Sequence, residues 1–244
     1  MQPDYNLDKI KFATDPPTFG RAVALYEKGK VTDLREDAGG YSAVVMGTTP
    51  YEVFVLSKKF DHGGCDCYLG QRGILCKHMV AVAIYAVKKG EKLSEKEKRV
   101  LSEPEFSGKK GELSKEELNK VKAEITAAMR YIKPYNGPSR IWFAYQNSLA
   151  EGVSRLSAIV SELPASKQTA DLLVNLLLRL DKKLCYGGVD DSDGTVGVFM
   201  TGLVGVLEAF SETEPKCIRS FKKLCDRETC FDWEAPLIGI MDSE

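Results

Sequence analysis

Residues 63–78 of the 244-residue chain read GGCDCYLGQRGILCKH. Two pairs of side chains with soft or borderline donor atoms lie in this stretch, Cys65 with Cys67 and Cys76 with His78. They bring three of the 7 cysteines and one of the 2 histidines of the chain close together in sequence. In a β-strand, Cys65 and Cys67 would point to the same face. Glycines in the loop between the pairs permit the tight turns that would bring all four side chains together.

The spacing Cys-x-Cys, eight residues, Cys-x-His predicts one structural zinc ion held by Cys65, Cys67, Cys76 and His78. Zinc takes four such donors in a tetrahedron, and a short loop closes at a small entropic cost. The alternative is a set of unrelated buried cysteines, which are common in proteins. His62 is a further candidate, as a fifth ligand or as a replacement for Cys65. The alternative is a strand or turn residue beside the site, where it could donate a hydrogen bond to a ligand.

The residues on either side of the cysteines predict a small antiparallel β-meander followed by a helix. Three apolar stretches, residues 31–35, 41–46 and 51–56, are separated by turn residues, with Gly39 and Gly40 between the first two. A helix is expected over residues 19–28, and Gly29 would end it. Another helix, residues 77–87, follows the second ligand pair directly. The sequence therefore predicts a meander that ends in a ββα zinc knuckle.

The rest of the chain predicts helices only. Residues 91–113 are dense in Lys, Glu and Ser and are expected to form a charged linker. A capping box at Ser114 and Glu117 predicts the start of a helix, and further helices are expected at about 139–162, 166–184, 195–210 and 215–227. The fold class is therefore α+β, with an all-α bundle or short α-solenoid after the meander.

Composition predicts a cytoplasmic protein. The net charge is −1, and residues 1–90 hold 12 Lys and Arg against 10 Asp and Glu, so no strong basic field covers the chain. No apolar run reaches bilayer length, since the most apolar helical segment, residues 172–180, contains Asn175 and Arg179. The N-terminal residues lack the pattern of a signal peptide. In a reducing compartment, cysteines favour metal binding over disulfides.

The four ligands and their surroundings resemble the SWIM zinc-finger family, whose pattern is Cys-x-Cys, a variable gap, then Cys-x-His in a ββα unit. The resemblance covers roughly residues 18–90. The sequence departs from the family pattern at Tyr68, where many members have proline. The resemblance implies a SWIM-like zinc-binding domain at 1–90. The charged linker 91–113 and the all-helical domain at 114–244 are predicted from the residue pattern and not from the resemblance. Family members occur in chromatin-remodelling helicases, transposases and recombination-factor complexes, so the resemblance implies DNA or protein binding and not catalysis.

The remaining motifs do not predict an enzyme. A catalytic zinc keeps one position open for water, whereas here the chain supplies all four ligands. Residues 190–194 resemble part of a calcium loop, but the spacing fails, and a polar loop that caps the next helix is expected instead. Cys217, Cys225 and Cys230 lack a nearby fourth ligand, and core packing is expected for Cys217 and Cys225.

Basic and aromatic residues around the knuckle predict a modest nucleic-acid footprint, opposed by the net charge of −1 that three thiolates and Zn²⁺ would carry. The proposed contacts are Lys58, Lys59, Tyr68, Arg72, Lys77, Lys88 and Lys89. The predicted function is a non-enzymatic zinc-binding module for single- or double-stranded DNA, a protein partner or both, as an accessory subunit in DNA repair, recombination or remodelling. The alternative is a pure protein–protein interaction adaptor with a structural zinc. No membrane contact and no small-molecule substrate are predicted.

Overall fold

Four antiparallel strands and a buried helix form the first of two units, Met1–Val100. The structure is a computed structural model and describes residues 2–37, 39–101, 103–225 and 227–242. The strands, hydrogen-bonded in sequence order, are β1 (Val31–Asp37), β2 (Gly40–Met46), β3 (Pro50–Leu56) and β4 (Gly63–Cys65). The α+β class and the antiparallel meander are thus confirmed.

The helices of this unit are α1 (Leu7–Phe12), α2 (Pro16–Glu27), α3 (Lys77–Lys88) and α4 (Glu95–Lys98). The expected helix at 19–28 begins earlier, at Pro16, because the Asp15 side chain accepts a hydrogen bond from the Thr18 amide at 2.9 Å. An acidic N-cap followed by proline at the first helical position is a strong helix start, and this signal was overlooked.

Helix α3 forms the centre of the first unit because it is apolar on almost every side. The consecutive side chains from Met79 to Ile84 are all buried, and α3 packs against α2 and strands β2 and β3. From the sheet, Val45, Val53 and Val55 contribute buried side chains to the same core. The N-terminus of α3 is thereby fixed beside β4, which is where the two ligand pairs meet.

The second unit, Leu101–Glu244, is built from helices. They are α5 (Lys115–Ala128), α6 (Trp142–Val160), α7 (Lys167–Cys185), α8 (Thr195–Thr213) and α9 (Ala235–Asp242), with a 3₁₀ segment at Pro215–Lys223. Helix α8 is central, since it contacts α6, α7, α9 and the 3₁₀ segment. The capping box at Ser114 and Glu117 is present as predicted. The expected helix at 215–227 is a shorter 3₁₀ segment, and α9 was not predicted.

The boundary between the units falls inside residues 91–113, the segment predicted as a linker. Leu93 is buried in the core of the first unit. Phe106 packs edge-on against Phe210 in the second unit, with ring centroids 5.4 Å apart. The segment therefore contributes apolar side chains to both cores.

Helix α8 corrects the expectation that no segment matches a bilayer in length. It has 19 residues and is long and apolar enough, by length and composition, to cross a membrane. Half of its apolar window is buried inside the unit, however, and the central helix of a folded domain passes the same test. The loop before it caps the helix as predicted, since the Asp191 carboxylate accepts hydrogen bonds from the amides of Val196 and Gly197 at 2.8 and 2.9 Å.

The cysteines of the second unit differ from the prediction at two positions. Cys217 is fully buried in the core, as expected, but Cys225 is exposed because it follows the end of the 3₁₀ segment. Cys230 forms a disulfide with Cys185, the last residue of α7. The two cysteines are 45 positions apart in the sequence, so local spacing gave no indication of this pair.

Candidate metal centre

The four predicted ligands meet where β4, the following turn and α3 converge. Cys65 is the last residue of β4, Cys67 lies in the turn, Cys76 is the N-cap of α3, and His78 lies in the first turn of that helix. All four side chains are buried, and their ligand atoms lie within 4.8 Å of one another. The register explains the position of the first pair, since Cys65 lies opposite the buried Val53 of β3.

Backbone amides support the two sulfur atoms of the first pair. The Cys67 amide lies 3.5 Å from Cys65 Sγ, and the Gly70 amide lies 3.4 Å from Cys67 Sγ. Gly70 has no room for a side chain, because a Cβ there would lie 2.2 Å from the Cys65 carbonyl oxygen. Gly73 ends the short 3₁₀ turn Gly70–Arg72 with φ of 70°, a left-handed conformation that favours glycine.

His78 presents Nδ1 to the sulfur atoms, at 3.7 Å from Cys65 Sγ and 3.9 Å from Cys76 Sγ. Its ring stacks on Tyr51, with centroids 4.4 Å apart and planes at 23°. Nε2 is buried and has no hydrogen-bond partner among the described residues. Stacking, rather than a hydrogen bond, therefore orients the imidazole, and Nδ1 is the atom available to a metal.

Tyr51 and Gly47 were missed by the sequence analysis. Tyr51 holds the ring of His78, and a Cβ on Gly47 would lie 2.8 Å from the Tyr51 ring and 3.2 Å from His78 Nε2. A side chain at residue 47 would therefore displace the Tyr51 ring from its contact with His78. An aromatic residue at the start of the strand before the knuckle was the available signal for Tyr51.

The thiols of Cys65 and Cys76 are joined by a hydrogen bond. A hydrogen bond from Cys65 lowers the pKa of Cys76 to about 4, and the same hydrogen bond, together with burial, raises the pKa of Cys65. This shift favours the thiolate of Cys76, and the thiolate is the form that binds metals.

His62 is not a ligand, so its roles as a fifth ligand and as a replacement for Cys65 are wrong, whereas its prediction as a turn residue is confirmed. It lies in the turn between β3 and β4, is exposed, and its Nδ1 lies 3.1 Å from Oδ1 of Asp61. Within the described residues, the cluster around Cys65 consists of the four predicted ligands. The amide and carbonyl of His62 are held by Lys59 and Leu56, and this directs its side chain into solvent.

Three of the proposed nucleic-acid contacts lie at or next to the knuckle. The guanidinium of Arg72 stacks over the ring of Tyr68, 4.1 Å from its centroid, and the Tyr68 side chain is 67% exposed. Lys77, the first residue of α3, is half-buried. Leu69 and Ile74 are also exposed, at 39% and 49%. The loop between the ligand pairs therefore presents an aromatic ring, a cation and two aliphatic side chains to solvent.

The other four proposed contacts lie elsewhere on the first unit. Lys58 and Lys59 are exposed in the turn that joins β3 to β4. Lys88 and Lys89 lie at the opposite end of α3, roughly 15 Å along the helix axis from His78. Lys88 is paired with Glu97 at 3.0 Å. The seven residues therefore do not form one continuous basic patch.

The donor set fits zinc. Three thiols and one imidazole nitrogen, all buried and mutually close, are the ligands of a closed tetrahedral Zn²⁺ site. Comparison with known families matches residues 51–86 to the SWIM zinc finger. Comparison with curated proteins and with solved structures finds no match. The matched range contains all four ligands and Tyr51, which confirms the resemblance. Residues 51–86 of this chain therefore match the SWIM zinc finger, and the four buried ligands within them support zinc binding.

Proposed function

We propose that the chain is a non-enzymatic binding module in which one structural zinc ion shapes a loop that contacts single-stranded nucleic acid. The observation that carries this proposal is the Arg72 guanidinium stacked over the exposed ring of Tyr68. The knuckle loop, residues 68–75, holds both side chains between the two ligand pairs.

The pairing of Tyr68 with Arg72 suits an unpaired nucleotide. A base stacks on an exposed aromatic ring whatever its sequence, and a stacked guanidinium keeps its N–H groups free for phosphate. No ion pair involves Arg72 among the described residues. Lys77 adds a second positive charge at the N-terminus of α3, where the helix dipole also favours an anion.

The zinc in this proposal is structural, and there is one per chain. Four protein ligands leave no coordination position for a water molecule, so the metal would not generate a nucleophile. Its task is to hold the knuckle loop, residues 68–75, in which no side chain is fully buried. We place this module in the cytoplasm, as an accessory subunit in DNA repair, recombination or remodelling.

A protein partner is the second candidate, favoured by the exposed Leu69 and Ile74 on the same loop. Tyrosine and arginine are also common at the centre of protein interfaces. The two candidates differ in salt dependence. Phosphate contacts weaken steeply as salt rises, whereas apolar docking does not.

Fluorescence anisotropy tests the proposal, with zinc-loaded protein titrated into labelled single-stranded and duplex DNA at low and moderate salt. Loss of base stacking in Tyr68→Ala should weaken single-strand binding by about 1–3 kcal/mol, which is roughly 5- to 150-fold. Arg72→Ala should reduce the slope of log affinity against log salt by about 1. Lys89→Ala, at the far end of α3, is the matched control and should change binding little.

Absence of binding to either DNA at low salt would refute the nucleic-acid proposal. The protein candidate would then be tested by capture of partners with the native protein and with the double variant Leu69→Ser, Ile74→Ser. Equal weakening by Tyr68→Ala and Lys89→Ala would show that binding is diffuse and does not involve the knuckle loop.

A further inference from the structure

The end of α7 is joined to the C-terminal segment by a covalent bond and two hydrogen bonds. Cys185 and Cys230 form a disulfide, with Cα atoms 6.2 Å apart. One helical turn earlier, Asp181 Oδ1 accepts hydrogen bonds from the Cys230 amide and from Trp233 Nε1, both at 2.9 Å. The turn at residues 230–233 is therefore held at both ends against α7.

The backbone inside this turn is strained. Phe231 and Asp232 have φ of 70° and 49°, which lie in the left-handed region that residues other than glycine rarely adopt. Phe231 is also 85% exposed, so burial of its ring does not offset the strain. Such a conformation persists only where surrounding bonds impose it, and here the disulfide and Asp181 provide them.

Zinc binding by three of the other described cysteines requires a reducing setting. Cys65, Cys67 and Cys76 must remain reduced to bind zinc, and Cys217 and Cys225 are also free thiols. A compartment that keeps these five reduced also exposes the Cys185–Cys230 bond to reductants, because both sulfurs belong to half-buried residues. Disulfides in such compartments are usually transient, and exposed or strained ones are the labile class.

We propose that Cys185 and Cys230 are a reversible redox pair that fastens the C-terminal segment, residues 227–242, to α7. With hydrogen peroxide as oxidant, one thiolate attacks a peroxide oxygen to give a sulfenic acid and release hydroxide. The second thiolate then displaces the sulfenic oxygen to form the S–S bond, so that two thiols and one peroxide give one disulfide and two waters. A dithiol reverses the step by exchange, and is itself oxidised to a disulfide.

The bond controls how firmly α9 is held. Helix α9 packs on α8 and the 3₁₀ segment through the fully buried Leu237. In the reduced protein, the contacts of α9 and the two hydrogen bonds to Asp181 act against the strain at Phe231 and Asp232. The reduced C-terminal segment therefore opens more often than the linked one.

The test uses the full, zinc-loaded chain, treated with equimolar hydrogen peroxide and then with dithiothreitol. Thiol alkylation and peptide mass spectrometry identify the linked cysteines, a zinc indicator follows metal release, and hydrogen exchange follows the amides of α9. We expect a Cys185–Cys230 link that forms while zinc stays bound and is removed by the dithiol. The α9 amides should exchange about tenfold more slowly in the linked form.

Two variants separate the pair from general thiol chemistry. Cys185→Ser should lose the effect of peroxide on α9, while Cys225→Ser, which removes an exposed thiol of the same region, should keep it. The proposal is overturned if zinc is released before the disulfide forms, or if native protein keeps the disulfide in dithiothreitol. It is equally overturned if the α9 amides exchange at the same rate with and without the disulfide. It is also overturned if Cys185→Ser removes a second equivalent of bound zinc, because Asp181, Cys185 and Cys230 would then be metal ligands.

Discussion

Gly70→Ala is the sharpest test of how the knuckle loop holds the metal. A Cβ on residue 70 would lie 2.2 Å from the Cys65 carbonyl oxygen and 2.6 Å from Cys65 Cβ. Both atoms belong to a ligand residue, so relief requires a shift of close to 1 Å in the loop or in β4. Overpacking of this kind costs about 1–3 kcal/mol. The shift would also lengthen the contact between the Gly70 amide and Cys67 Sγ, now 3.4 Å.

The expected result is weaker zinc binding by about 10- to 100-fold, since each 1.4 kcal/mol changes an affinity by roughly tenfold. Competition against a chromophoric chelator measures this affinity. Gly64→Ala is the matched control, because residue 64 precedes Cys65 in β4 and a Cβ there meets no atom within 4 Å. Zinc affinity of Gly70→Ala within about threefold of Gly64→Ala would refute the proposed crowding at Cys65.

Three further predictions concern other parts of the chain. Hydrogen bonds from Ser94 lower the pKa of Glu97 from 4.5 to about 2. The contribution of the Glu97 carboxylate to stability is therefore present above the ordinary glutamate pKa and is lost as pH falls toward 2. A carboxyl NMR titration with a midpoint near the ordinary value would contradict this. Leu173→Ala, at a fully buried position, should lower the free energy of unfolding of the second unit by about 2–5 kcal/mol. Urea unfolding measures this change, and Leu172→Ala, at a half-buried position, should lower the free energy of unfolding by less. The Cys185–Cys230 bond closes a 45-residue loop. Its reduction should lower the free energy of unfolding of the second unit by about 4 kcal/mol in the chain-entropy account. Equal urea midpoints with and without dithiothreitol would contradict this prediction.

The ligand set could be predicted from sequence because donor type and spacing are local properties. Cys65, Cys67, Cys76 and His78 lie within one loop and its two flanking elements, so a strand and a helix start are enough to bring them together. The meander and α3 were predictable for the same reason, since their apolar residues follow the period of a single element.

The features that the sequence did not reveal depend on contacts between distant residues. The stacking of Tyr51 on His78 needs the register of β3 beside α3, and pairing of Cys185 with Cys230 needs the C-terminal segment to fold back on α7. The exposure of Cys225 depends on where the 3₁₀ segment ends. Periodicity describes one element at a time and carries no information on these arrangements.

The scattered lysines show a further limit of reading charge from sequence. Lys88 is close to the motif in sequence, yet it lies at the other end of α3, where Glu97 pairs with it. Arg72 stays at the knuckle because it lies between the two ligand pairs. A basic residue therefore stays near the ligands when it lies in the loop between them, and lies far from them when it follows several turns of α3.

The knuckle loop has almost no core of its own. The loop side chains Tyr68, Leu69, Arg72 and Ile74 are all exposed, whereas α3 directly after it is buried along nearly its whole length. Burial of apolar surface can therefore hold α3 but not the loop. The zinc ligands at both ends supply the missing constraint. A surface whose shape depends on a metal can present an aromatic ring, a cation and aliphatic groups to solvent, because none of them is required to fold the unit.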